Sequence, residues 1–181
     1  MILKERDERH EHLKWVARQM MTAARTAPKG KGIDVIETCA VTGEDIHLLS
    51  NTMRKMFEEN GFKFFLRDAD NIQSAEVIVI IGTREQPQGL NCAICGAKRC
   101  EEREIGVPCA LNTLDVGIAI GSACAMAADL RVDTRVMFSA GQAAQRLGWP
   151  AEGCSAVMAI PVSASSKNPF FDRKPKEENK G

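Results

Sequence analysis

The chain lacks a surplus of charge of either sign, because 24 lysines and arginines balance 24 aspartates and glutamates over 181 residues. Nucleic-acid-binding proteins usually carry a basic excess, so we expect no nucleic-acid partner. Histidine is also scarce, and His10, His12 and His47 show no H-E-x-x-H spacing and have no G-x-S-x-G motif to work with. The sequence therefore gives no support to a metalloprotease or a serine hydrolase.

The chain also lacks an apolar run long enough to cross a membrane. Its start, MILKERDERHEH, is dense in charge and has no apolar segment of the kind found in secretory signals. The longest apolar stretch, residues 116–128, is shorter than the ~20 residues of a membrane span. We therefore expect a cytoplasmic protein with no membrane association. That compartment keeps thiols reduced, so clustered cysteines there indicate a metal or redox site rather than disulfides.

Hydrophobic periodicity divides the chain into helices and strands without an internal repeat. Residues 8–26 carry an apolar stripe and predict a first helix, and Thr42 with Asp45 forms a capping box that predicts the start of a second helix, closed by Gly61. Further helices are predicted at 111–129 and 140–148, and strands at 33–41, 62–66, 76–82, 136–139 and 154–162. The segment 76–82 is apolar on both faces, which predicts a central strand.

The predicted helix 111–129 contains Gly117 and Gly121, each of which costs ~1 kcal/mol relative to alanine. With Ala125 they form a row of small residues at four-residue spacing, which allows another backbone to approach closely. We favour tight helix packing within the core as the explanation. A flat surface for a cofactor ring and a dimer seam are the alternatives.

Four of the seven cysteines lie in the segment GLNCAICGAKRCEEREIGVPC, residues 89–109, with the spacing C-x2-C-x4-C-x8-C. A four-iron cluster takes cysteine thiolates, and small residues between them let backbone N–H groups turn toward the sulfurs. Zinc also accepts four thiolates, but zinc ribbons usually pair two C-x2-C knuckles and this chain has one. We therefore favour a 4Fe-4S cluster, with zinc and unliganded buried thiols as alternatives. The predicted ligands are Cys92, Cys95, Cys100 and Cys109.

Two neighbouring positive charges bear on the predicted cluster. Lys98 and Arg99 stand beside the third ligand, where positive charge would favour the reduced cluster and raise its potential. The remaining thiols, Cys39, Cys124 and Cys154, stand in apolar strand or helix contexts and are interpreted as core residues.

Three segments resemble a known family. GLNCAICGAKRCEE, LDVGIAIGSACAMAADLRVDTRVMFSAGQAAQRLG and AIPVSASSKNPFFDR look like the prokaryotic proteins of unknown function described as containing a ferredoxin-like domain. The resemblance implies an α+β fold with a nitroreductase-like mixed sheet flanked by helices, in one domain over residues 1–181. The cysteine-rich iron–sulfur insertion would occupy residues 85–110. Ala93 departs from the family's C-G-x-C-G pattern, which has glycine there.

The nitroreductase likeness implies a second cofactor, flavin mononucleotide (FMN), at a dimer interface. AARTAPKGKG resembles the A-P-S-type turn that follows the first helix in those enzymes, with Arg25 and Lys29 available to a phosphate. Arginines near the N-terminus often bind that phosphate in the fold, and Arg6 and Arg9 are present here. Without the resemblance, PKGKG is a helix-to-strand turn with solvated lysines.

The C-terminal segment PVSASSKNPFFDRK has no helical or strand period, yet it carries the adjacent pair Phe170 and Phe171. The segment either folds back on its own subunit or crosses to a partner, as C-terminal arms do in the nitroreductase fold. The resemblance therefore implies a homodimer, in which Lys167 would reach an anion shared between subunits.

Two functions follow from these patterns. In the first, the protein passes single electrons between a 4Fe-4S cluster and a flavin or another acceptor, as an enzyme or as a carrier with an unidentified redox partner. In the second, zinc staples a structural or binding module that has no catalytic activity. The colour of the purified protein would separate them, because zinc thiolates do not absorb visible light.

Overall fold

The computed structural model describes residues 1–172, so residues 173–181 of the predicted single domain lie outside the described part. It contains five α-helices and four strands within that range. The helices are α1 Glu5–Thr26, α2 Glu44–Asn60, α3 Phe64–Ile72, α4 Ala110–Asp129 and α5 Phe138–Arg146. The strands are β1 Ile36–Val41, β2 Val77–Arg84, β3 Asp133–Thr134 and β4 Cys154–Ser163.

The strands form one sheet in the order β1-β2-β4-β3, and every pairing between them is antiparallel. β2 lies in the interior of the sheet and is buried along nearly its whole length, as its apolar sequence predicts. The observed α+β architecture confirms the predicted fold class.

Helices cover both faces of the sheet, because β2 and β4 present apolar residues on each side. One face packs against α1 and α4 in a core that includes Leu13, Val79 and Ile160. The other packs against α2, α3 and α5 in a core that includes Leu49 and Ile80. By length and composition α4 is long and apolar enough to span a membrane, but it packs against α1 and the sheet as a core helix.

Two predicted strands and the predicted capping box are wrong. The segment 62–66 leads into α3, because Phe65, Ala69 and Ile72 recur at helical spacing and all three are buried. The segment 136–139 forms one isolated bridge through Met137 and then enters α5. No side-chain hydrogen bond caps α2, whose N-cap is Gly43.

Candidate functional site

The cysteine-rich segment is a long connection between β2 and α4. Its one regular element is the 3-10 turn Cys100–Glu102, and most of its residues are exposed. Cys92 is exposed, Cys95 and Cys100 are partly buried, and Cys109 is buried; all four are free thiols. Within residues 1–172, no three His, Cys, Asp or Glu side chains lie close enough together to hold a metal ion. The loop therefore carries the four predicted ligands without gathering them around a common centre.

Cys109 is the best positioned of the four thiols, because it is the N-cap residue of α4. Its side chain makes no capping hydrogen bond, but it lies at the helix end where backbone N–H groups are unsatisfied. Burial opposes ionisation of the thiol. The backbone N–H groups of Gln88, Asn112 and Leu111 and the charge of Arg103 outweigh burial and lower the pKa of Cys109. The helix start and Arg103 thus favour the thiolate form of Cys109 against the effect of burial.

The first half of the loop is shaped by residues with positive φ. Asn91, Ala93 and Gly96 have φ values of 48°, 58° and 92°. The amide nitrogen of Asn91 lies 3.3 Å from the Sγ of Cys100, and the amide of Cys100 donates to the Oδ1 of Asn91 at 2.8 Å. Ala93 occupies a conformation that favours glycine, at the position where the family pattern has glycine.

A cleft within the loop brings Cys95 together with Arg103. The cleft has a volume of about 380 Å³ and is lined by Cys95, Gly96, Ala97, Glu102, Arg103, Glu104 and Val107. The Nη1 atom of Arg103 is buried and has no hydrogen-bond partner in the part of the chain that the structure describes. Burying an unpaired guanidinium nitrogen is costly, so this atom suits an anionic group on the loop. The donor types on the loop, four thiols and this cation, fit the chemistry of an iron–sulfur cluster, and Cys95 is the predicted ligand that lines the cleft.

Buried polar side chains anchor both ends of the loop. The side-chain amide of Gln88 donates to the Oδ1 of Asn112 at 2.8 Å, and Asn112 donates to the carbonyl of Gln86 at 2.7 Å. One turn farther along α4, both carboxylate oxygens of Asp115 accept from the amide of Gly30 at 3.0 Å. These bonds fix the cysteine loop and the 27–32 turn to the start of α4.

The three residues predicted to contact a flavin each have a partner of their own. Arg25 donates to Asp34 at 2.7 Å and to the carbonyl of Ile36 at 2.6 Å. Lys29 binds carbonyl oxygens at the end of α1, and burial lowers its pKa. Lys167 is exposed and pairs with Asp172 at 2.8 Å.

A different cationic cleft lies where α1 begins. It has a volume of about 640 Å³ and is lined by Glu5, Arg6, Arg9, Arg131, Asp133, Ala164, Ser165 and Ser166. Arg9 forms two hydrogen bonds with Glu5, at 2.6 and 2.7 Å. Sequence reasoning noted Arg6 and Arg9, and it expected Ser165 and Ser166 where the C-terminal segment crosses to a partner, but it missed Arg131. Only the folded chain brings the segment after β4 to the N-terminal helix.

The small-residue row of α4 faces outward, so the predicted tight packing in the core is wrong. Gly117, Gly121 and Ala125 are exposed, and a Cβ added at either glycine would meet nothing within 4 Å. Leu114 and Ile118 flank the row with 57% and 46% of their surface exposed. The row is therefore an open, apolar helix face, and the cofactor surface and the dimer seam stay predictions.

The C-terminal segment folds back on its own chain as far as Asp172. Phe170 is buried in the core formed with α2, α3 and α5, and its carbonyl accepts from Arg135 at 2.8 Å. The neighbouring Phe171 is exposed, with the guanidinium of Arg135 5.1 Å from its ring centroid. In this single chain the segment therefore folds back on its own subunit, which is one of the two arrangements predicted for it.

Two comparisons concern the family of the chain. A family model described as "Uncharacterized protein containing a ferredoxin domain" (DUF2148) matches residues 105–173, which include Cys109 but not the other three loop cysteines. An uncharacterized protein of Archaeoglobus fulgidus is 40% identical over 98% of this chain and 100% of its own length.

Solved structures show a further similarity. A nitroreductase with bound FMN from Bacteroides fragilis matches with a TM-score of 0.60, at 13% identity, over 91% of this chain and 84% of that one. An oxidoreductase containing FMN matches with a TM-score of 0.58, at 15% identity, over 85% and 68%. A BluB-like flavoprotein from Clostridium difficile matches with a TM-score of 0.55, at 17% identity, over 91% and 86%. At these identities the matches show the nitroreductase fold.

Proposed function

The chain belongs to the family of uncharacterised proteins containing a ferredoxin domain, and we propose that it is a redox protein that carries a 4Fe-4S cluster on its loop. The ligands would be Cys92, Cys95, Cys100 and Cys109. A cluster bound there would accept and donate one electron at a time.

The observation that carries this proposal is the position of Cys109 at the start of α4. A cluster ligand must be a thiolate, and the lowered pKa of Cys109 makes that form more accessible. The residue is also fixed, because the polar anchors at Gln88 and Asn112 hold both flanks. The other three thiols lie on mostly exposed turns, which would have to close around a bound cluster.

The test is metal analysis and visible absorbance of anaerobically purified protein. Iron and sulfide with absorbance in the visible range support the proposal, and one zinc per chain without iron would favour the zinc-stapled module. Cys95→Ser should lower bound iron and visible absorbance while the far-UV circular dichroism persists. Cys124→Ser is the matched control, because that partly buried thiol lies on α4 outside the loop.

We further propose that FMN binds with its phosphate in the cleft of Arg6, Arg9 and Arg131. The three guanidinium groups of this cleft outnumber the carboxylates of Glu5 and Asp133 and suit a phosphate, and the hydroxyls of Ser165 and Ser166 add donors. Arg25, Lys29 and Lys167 do not line this cleft, and each binds oxygen atoms of its own chain, as Arg9 does with Glu5. The FMN named in the related structures, all of the same fold, also supports this cofactor.

Titration of FMN fluorescence tests the flavin proposal. Arg6→Gln should weaken binding, whereas Lys167→Gln, which removes an exposed cation outside the cleft, should change it little. Equal weakening by both variants would point to general charge attraction rather than to this cleft. A wild-type protein that leaves FMN fluorescence unchanged would end the proposal.

We also propose a homodimer through the exposed face of α4. A soluble chain gains by covering an apolar helix face, and Gly117 and Gly121 allow a second copy of α4 to approach closely. A two-fold contact brings the same row onto itself, so the face needs no other partner. Ile118→Glu should reduce the mass measured by light scattering from two subunits to one, while the far-UV circular dichroism remains. A wild-type protein that has the mass of a monomer would refute the dimer.

A further inference from the structure

A cleft beside the edge strand β1 takes no part in the functions proposed above. We propose that it binds an extended, acidic segment of a partner protein. The segment would add to β1 as a further strand, and its carboxylates would meet two cations of α1. Because this inference requires neither of the proposed cofactors, its test is independent of the redox function.

The backbone at the outer edge of β1 is the first argument. β1 is the end strand of the sheet, so every second residue directs its N–H and C=O away from β2. The carbonyl of Val35 accepts from the amide of Arg84 on β2, and this bond determines which residues alternate outward. The outward-facing residues of β1 are Ile36, Thr38 and Ala40.

One of these three positions is capped by the chain itself, and the other two are open. The carbonyl of Ile36 accepts from Arg25 at 2.6 Å, and its amide donates to the Oδ1 of Asp34 at 3.2 Å. The outward backbone groups of Thr38 and Ala40 have no such partner among residues 1–172. They leave two N–H donors and two C=O acceptors for another chain, and an unpaired strand edge is a template for such pairing.

The charge around the open edge is the second argument. The cleft has a volume of about 540 Å³, and no carboxylate belongs to its lining. Lys14 and Arg18 stand one turn apart on the same face of α1 and both line the cleft, where Met21 and Val77 add apolar surface. An extended segment with acidic side chains therefore matches the cleft in shape and in charge.

The neighbouring carboxylates do not cancel this charge. Glu11 accepts from Lys14 at 2.7 Å and lies near Arg18, but its side chain is 68% exposed and is not part of the lining. Such an exposed ion pair contributes little free energy, so a ligand carboxylate can replace Glu11. Asp45 of α2 lies near Cys39, and it too is outside the lining.

The hydroxyl of Thr38 is the third argument. Thr38 lines the cleft, and its Oγ1 is buried without a hydrogen-bond partner among residues 1–172. A buried polar atom without a partner is costly, and a ligand that bonds to it removes that cost. The hydroxyl thus contributes to ligand binding rather than to the stability of the free chain.

Charge favours another protein over a second copy of this chain as the occupant. Residues 173–181, RKPKEENKG, carry four basic and two acidic side chains, so this tail is a poor match for Lys14 and Arg18. Acidic side chains at alternate positions of an added strand all point to one face of the sheet, which can be the face that α1 covers.

The experiment measures binding of a fluorescein-labelled pentapeptide amide of alternating valine and glutamate to the full-length protein by fluorescence anisotropy. A peptide with glutamine in place of glutamate is the control, and it should bind at least about two- to fivefold more weakly. Lys14→Gln and Arg18→Gln should each weaken binding of the acidic peptide by about two- to fivefold. Lys55→Gln, which removes an exposed cation of α2 outside the cleft, should leave binding unchanged.

Two further variants separate strand pairing from charge attraction. Ala40→Pro removes an outward N–H but no bond to β2, and it should weaken binding about fivefold, because edge positions accept proline. Thr38→Val removes only the hydroxyl, so it should weaken binding without lowering Tm. Circular dichroism checks the fold of both variants, and if Ala40→Pro unfolds, Thr38→Val decides.

Several results would overturn the inference. These are equal binding of the acidic and glutamine peptides, equal weakening by Lys55→Gln, and unchanged binding in folded Ala40→Pro and Thr38→Val. Displacement of the peptide by an equal concentration of glutarate would mean a small-anion site instead. A lower mass of peptide-free Ala40→Pro in light scattering would mean that a second copy occupies the edge. A wild type that does not bind the peptide at about 1 mM would also refute the site.

Discussion

Replacing Phe170 with alanine tests how the C-terminal segment is held. Phe170 is 1% exposed and packs in the core between the sheet and α2, α3 and α5, whereas the adjacent Phe171 is 61% exposed. Removing a buried phenylalanine costs about 3–5 kcal/mol, the sum of lost transfer free energy and the cavity left behind. Removing Phe171 forfeits an exposed contact with Arg135 worth about 0.5–1 kcal/mol.

The assay is thermal unfolding of both variants followed by circular dichroism. For a chain of this length, a loss of 3 kcal/mol lowers Tm by about 6–12 °C, and a loss of 1 kcal/mol by about 2–4 °C. The segment lies near the C-terminus and can detach by itself, so the loss in Phe170→Ala cannot exceed the free energy of docking the segment. Similar Tm values for Phe170→Ala and Phe171→Ala would mean that the segment does not pack against its own core in solution.

Three further changes probe other parts of the chain. Gly141→Ala would place a Cβ in collision with the carbonyl oxygen of Val157. It should lower the free energy of unfolding, measured in urea, by about 1–3 kcal/mol or more. An unchanged free energy would contradict the packing of α5 against β4. Ala93→Gly relieves a positive φ costing about 1–2 kcal/mol, so it should slow the loss of bound iron in air, and faster loss would count against that strain. Burial raises the pKa of Cys39 to about 11, so this thiol ionises at lower pH in the unfolded chain than in the folded one. The free energy of unfolding should therefore fall between pH of about 8.5 and 11. Cys39→Ala should reduce that fall, and an identical pH dependence would refute the assignment.

Most of the fold follows from local pattern, and the exceptions have tertiary causes. The apolar stripe of α1, the doubly buried β2 and the glycine that ends α2 are all found where the sequence predicts them. The strand predicted at 62–66 is wrong because aromatic residues favour strands. The helical spacing of buried residues that defines α3 extends beyond the aromatic run to Ile72. The strand propensity of five residues could not reveal a helical spacing that extends over nine.

The α4 glycines show a second limit of sequence reasoning. Small residues at four-residue spacing indicate that something approaches the helix closely, and this holds whether the neighbour is another part of the chain, a cofactor or a second subunit. The side of the helix that faces the sheet is determined by Val116, Ala119 and Ala123, which are buried. Gly117 and Gly121 lie on the opposite side, so the row does not pack in the core as the sequence alone favoured.

In the candidate site, too, sequence spacing identifies some features and only the folded structure identifies the others. Cysteine spacing identifies the four thiols, but residues distant in sequence anchor the loop: Gln88 is bound to Asn112, and Asp115 of α4 is bound to Gly30. The first bond joins the two ends of the loop, the second holds the start of α4 to the turn at Gly30, and the turns within the loop are mostly exposed. A loop held only at its ends gains order when a bound group connects its thiols, because metal binding then supplies part of the folding free energy. On this reasoning, amide exchange between residues 90 and 107 should slow when iron is bound, while exchange in β2 stays unchanged.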